Sequence, residues 1–168
     1  MKAAGLLMLL LSAAPLMGAL QAQFASRFAA SRSDDTPERM RARIATEHDP
    51  VQRARLEIRL ADMVLDQILK LYADGDVEKG EVSLKEMLSL SEQAYTDLFS
   101  TKRDPRSKPA GFKESEILMR QFARKLDDLR HTLVFDDRPP VEKALARVRE
   151  MHEDLLLGLM RVKKENPQ

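Results

Sequence analysis

The sequence predicts an all-α fold, with two long antiparallel αα-hairpins (four main helices plus a short N-terminal helix) forming a bundle or short solenoid. Three observations lead there. Charged residues make up 33 % of the chain and only six of its 168 residues are Gly, and Leu, Ala, Glu, Lys and Arg dominate what remains, a helix-forming mixture. Apolar residues recur at steps of three and four over long stretches, which is the helical period. Pro and Gly cluster between those stretches, where turns belong.

The chain opens with Lys2, an apolar run from Ala3 to Leu11, then Pro15, Gly18 and the small-residue stretch Ala19-Leu20-Gln21-Ala22. That order reads as a signal peptide over residues 1–22, cut after Ala22, and it predicts export to the periplasm or beyond. The alternative is an uncleaved membrane anchor, because no charge stands between Lys2 and Arg27 and the length can span a bilayer. Residues 23–35 read as a flexible lead-in. Residues 36–168 read as a single helical domain, with one hairpin over 49–99, a linker over 100–111 and a second hairpin over 112–164.

Thr36-Pro37-Glu38 signals the short first helix: a capping hydroxyl, Pro at the first helical position and an acid near the positive helix end. Asp49-Pro50 repeats the signal. From there Ala54, Ile58, Ala61, Leu65, Ile68 and Tyr72 form one seam. Leu56, Leu60, Met63, Val64, Leu69 and Leu71 widen it, as suits a helix with more than one neighbour. Gly75 ends that helix and Asp76 is placed to cap the next, which carries Val77, Gly80, Leu84, Leu88, Ser91, Tyr95 and Leu98. The turn is so short that the two helices must be antiparallel. After the linker, Leu118, Phe122, Leu126, Leu129 and Leu133 mark a helix, Asp136 to Pro140 break it, and Val141, Leu145, Val148, His152, Leu155, Leu159 and Val162 mark the last. The hairpins look duplicated: Val77-Glu78-Lys79-Gly80 matches Val141-Glu142-Lys143-Ala144 at an offset of 64.

The stretch Tyr72-Ala73-Asp74-Gly75-Asp76-Val77-Glu78-Lys79-Gly80 resembles the inter-helix turn of a tetratricopeptide repeat, with Gly80 at that family's small-residue position. The resemblance covers one turn and implies an αα-hairpin. It does not extend further: Ile68 stands where the family's first helix has Gly, Glu92 where it has its closing Pro, and helices of roughly 36 Å are too long for it. Asp49-Pro50, Arg53-Ala54 and Leu60-Ala61-Asp62 are similar to exported bacterial families of unknown function, which implies a compartment and no activity.

Chemistry is narrowed mainly by exclusion. The chain has no Cys, which removes disulfides, thiolate nucleophiles, thiolate metal sites and covalent haem attachment. Basic and acidic residues number 28 and 27, so the chain lacks the basic excess that binding nucleic acid requires. His152-Glu153 begins a zincin motif, but Leu156 stands where the second His is needed. Asp128 and His131 give only one partial copy of a di-iron motif, and His48 stands alone. His152 falls on the apolar seam and is the one candidate cofactor-binding residue, as an axial haem ligand with Met63, Met87 or Met119 opposite. The competing expectation is a core-edge histidine. Lys102, Arg103, Arg106 and Lys108 make the linker basic, a candidate surface contact or a plain soluble loop, with Phe112 pinning it to the next helix. Arg55, Arg59, Glu47, Glu57, Asp62 and Asp66 read as solvated ladders along one helix. No metal or resident cofactor is expected. The functional expectation is a non-catalytic protein with an interaction or structural role in the bacterial envelope, acting on a protein partner or on a second copy of itself. The alternative is a small-ligand or haem-binding four-helix bundle using His152.

Overall fold

The computed structural model describes residues 36–160, and it is helical with no strand among them. The expectations for residues 1–22 and 23–35, and for Val162, lie outside the described residues. The helices are α1 (Pro37–Thr46), α2 (Pro50–Ala73), α3 (Val77–Ser100), α4 (Phe112–Thr132) and α5 (Arg138–Met160), with a single 3-10 turn over Phe135–Asp137 before α5.

The signals at the helix ends act as physical chemistry requires, with two differences. The Asp49 side chain accepts the Val51 N–H at 2.8 Å, so α2 starts with a capped turn and Pro50 at its first position. Gly75 takes φ 80°, and the N–H groups of Asp76 and Gly75 donate back to the carbonyls of Leu71 and Tyr72 at 2.9 and 3.2 Å. Those two bonds close α2 by the left-handed glycine route. Asp76, expected to cap α3, makes no side-chain cap bond and instead accepts from Lys79 Nζ at 2.9 Å. Pro139 and Pro140, expected to break the chain, lie inside the first turn of α5, where a missing N–H costs no helical bond.

Four helices form a ring in the order α2, α3, α5, α4, and α1 lies on α2. Cross-helix pairs fix the directions. Arg53 near the start of α2 meets Asp97 near the end of α3, and Glu116 near the start of α4 meets His152 while Asp127 further along meets the earlier Arg149, so each hairpin is antiparallel. Arg55 and Arg59 on α2 meet Glu114 at the start of α4, while Lys125 further along α4 meets Asp62 and Asp66. The two hairpins therefore stand side by side in the same direction, with α2 parallel to α4. Tyr95 with Asp154 and Glu92 with Arg147 make α3 parallel to α5 in the same way.

The core runs down the middle of the ring. The whole α2 seam of Ala54, Ile58, Ala61, Leu65, Ile68 and Tyr72 is buried, as are Val64, Leu60 and Leu56, because α2 has neighbours on three sides. On α3 the buried line differs from the one expected. Leu84, Ser91 and Leu98 are buried, but Met87 and Ala94 complete the line, leaving Leu88 and Tyr95 only partly buried. The helix is turned so that small Ala94 and flexible Met87 face the centre, where close approach favours them. Tyr95 keeps its hydroxyl at the surface, donating to Asp154 at 2.9 Å.

Candidate functional site

His152 lies where α4 and α5 pack, and Glu116 of α4 holds it. The His152 Nε2–Glu116 Oε1 distance is 3.1 Å, and the side chain is 19 % exposed. Arg120 approaches the same carboxylate at 3.6 Å. The methionines offered as partners for an axial ligand are divided: Met87 and Met119 are fully buried packing residues, and Met63 is partly buried. His152 thus sits at a core edge with one ring nitrogen committed to Glu116. Among the described residues no group of three His, Asp or Glu side chains converges to hold a metal ion.

The linker basic residues are all exposed, and none pairs with an acid among the described residues. The loop that carries them is nonetheless built. Lys102 takes φ 52° after α3, a left-handed stop without glycine. Asp104 then accepts the N–H groups of Arg106, through its side chain at 3.1 Å, and of Lys108, through its carbonyl at 3.0 Å. Phe112 is buried and stacks edge-on to Phe99 with centroids 5.6 Å apart, which anchors the loop to α4 as its position predicts.

At the opposite end of the bundle stands a feature that the residue pattern does not single out. Val134 and Phe135, between α4 and the 3-10 turn, are 66 % and 81 % exposed. Arg138 Nε donates to the Leu133 carbonyl at 2.9 Å and the Asp137 N–H donates to Val134 at 3.2 Å, so the segment is tied at both sides. Leu133 packs against the core, and the two residues after it project outward. The signal available in sequence was the apolar run Leu133-Val134-Phe135, which reads as the helix continuing its seam; α4 instead ends at Thr132.

The expected charge ladders of α2 are corrected. Arg55 and Arg59 reach across to Glu114 at 2.6 and 2.7 Å, and Lys125 bridges Asp62 and Asp66 at 3.1 and 2.8 Å. Burial alone would raise the Glu114 carboxyl, but the two guanidiniums hold it below the usual range. Burial would likewise lower Lys125, and its two aspartates hold it above its usual value. Glu57 is not on a solvated face: it is 3 % exposed, its Oε2 meets no donor, and burial, followed by the Asp97 charge, pushes its carboxyl up to about 7 against the pull of Arg53. No residue spacing marks it, because it lies between the buried Leu56 and Ile58 on the flank of a very wide stripe.

Comparison with known proteins finds no matching family model, no matching curated protein and no matching solved structure. No helix among the described residues is long and apolar enough to cross a membrane.

Proposed function

We propose that this is a non-catalytic helical protein exported to the bacterial envelope, which docks a protein partner through the Val134-Phe135 tip of its second hairpin. The observation that carries the reading is the exposure of Phe135 on a tied backbone. An aromatic ring held out in water at a fixed position is the type of anchor that fills a partner's pocket, because little freedom is lost on binding. The neighbouring acids Asp136 and Asp137 supply a polar rim. The long-range ion pairs that join α2, α3, α4 and α5 support a rigid spacing role for the body. The partner is expected to offer an apolar pocket edged by basic groups.

A photo-crosslinking amino acid at position 135, in cells, tests this. One discrete adduct is expected, absent when the same amino acid replaces the exposed Gln121. Equal adducts at both positions, or none at 135, would defeat the tip as a docking element. Phe135→Ser should remove the adduct partner from the purified complex while shifting stability by no more than about 0.5 kcal/mol, since the residue makes no core contact. Export is tested separately: the protein recovered from the envelope should begin at Gln23.

A further inference from the structure

Among the described residues, Glu57 is a buried carboxyl with an unpaired oxygen. It lines an open hollow of about 350 Å³ between α2 and α3, together with Arg53, Ser89, Glu92, Gln93, Thr96 and Asp97. Arg53 is already committed, donating to both Asp97 oxygens at 2.5 and 2.7 Å and to the Glu47 carbonyl at 3.2 Å. Glu92 accepts from Arg147 at 2.7 Å, and Gln93 donates to Ser89 at 3.2 Å. Glu57, almost fully buried, is the one lining carboxylate with no hydrogen-bond donor: its Oε2 is sealed from solvent and meets none, which leaves Oε1 as the oxygen that a group in the hollow can reach. Asp97 and Glu92 are each paired with an arginine, so Glu57 is the one carboxyl lining that space without a basic partner.

A buried carboxyl without a donor is costly, and a positive group supplied from outside would relieve that cost. We propose that the hollow between α2 and α3 binds a small organic cation, whose ammonium or guanidinium group pairs with Glu57 while Ser89, Gln93 and Thr96 offer neutral hydrogen-bonding partners at the rim. The volume suits a short alkylamine or an alkylguanidine. A metal ion fits the lining poorly, because Asp97 and Glu92 are spent on arginines and no three ligands converge. The site lies on the first hairpin, apart from the tip at Phe135, so it stands or falls independently of the docking role.

Binding and protonation compete at Glu57. The groups that act on its carboxyl are Arg53 on α2 and Asp97 on α3, with Glu92 of α3 also lining the hollow and Glu47, next to Arg53, at the junction with α1. With the free carboxyl titrating near 7, the apparent affinity for a cation should weaken about 30-fold between pH 8 and pH 5.5.

The probes are putrescine and methylguanidinium, added to the full chain, with acetate and Ca²⁺ as controls. Carboxyl carbon NMR should show the Glu57 midpoint falling by at least about one pH unit at saturation with either probe, and calorimetry should show the stated pH dependence. Glu57→Gln, which keeps the shape of the side chain, should weaken binding at pH 8 at least about tenfold and flatten the pH dependence. An unmoved Glu57 midpoint in the native chain, a Glu57→Gln variant that binds as the native chain does, or a response to Ca²⁺ alone would each overturn the proposal.

Discussion

At the scale of single residues, Glu57 sets the clearest expectation for stability. Its folded-state value near 7 lies above the ordinary 4.5, so the folded chain holds a proton there that the unfolded chain has released. The stabilisation is complete below about pH 4.5 and is lost as pH rises through 7, where the buried carboxyl must ionise. Glu57→Gln should therefore raise stability by less than about 1 kcal/mol at pH 5 and by about 3 kcal/mol at pH 8, as read by denaturant unfolding at the two values. A variant that is less stable at pH 8 than the native chain would mean that the ionised carboxyl is satisfied in the fold. Core residues give the opposite sign. Leu65 is fully buried and Leu129 nearly so, and replacing either by Ala should cost on the order of 2–5 kcal/mol, with Leu65 the more sensitive. Unaltered unfolding midpoints for both would mean that the packing faces are wrong.

At the scale of elements, the helices and their turns were legible because their causes are local. Asp49-Pro50, Gly75 and the three–four spacing of α2 act within a few residues, and the structure places each where that chemistry puts it. What was not legible depends on which helix lies opposite. The face of α3 is centred on Met87 and Ala94, not Leu88 and Tyr95, because α5 as well as α2 packs against it; an apolar stripe alone fits either line. The partners of Arg55, Lys125 and His152 lie tens of residues away in sequence, so helical spacing could suggest only neighbours on the same helix. Glu57 was hidden because α3 covers the flank of the α2 stripe on which it stands, which spacing along α2 does not reveal. Gly111, within the expected loop, turns out to be a fitted element of packing. It takes φ 85°, and a Cβ there would meet Leu98 Cδ2 at 2.7 Å and Val51 Cγ1 at 3.0 Å. Gly111→Ala should cost about 1–3 kcal/mol from strained backbone and overpacking together, measured by thermal unfolding. The same change at Gly75, which has open space around it, should cost only the backbone part, about 1 kcal/mol.

At the scale of the whole molecule, the side-by-side placement of two hairpins puts both of their tight turns at one end and the basic linker at the other. Burial, then the charge of Glu81 and last that of Asp137 at the second turn, push the hydroxyl of Tyr72 at the first turn up. The acids Asp76, Glu78, Asp136 and Asp137 gather there, near the helix N-termini of α3 and α5 that favour them, while Lys102, Arg103, Arg106 and Lys108 occupy the far end. Pro105 of the linker also rests against Gly158 of α5, where an added Cβ would come within 3.3 Å, so the linker closes the base of the bundle. If the tip docks a partner as proposed, core substitutions should act on folding and tip substitutions on association alone.

The same arrangement decides how the body would respond to tension. α2 starts and α5 finishes at the linker end, so a pull between Pro50 and Met160 acts across the helix axes instead of along them. Such a load peels one helix from its neighbours a turn at a time, starting where Gly158 meets Pro105, and never has to break all of the lateral contacts at once.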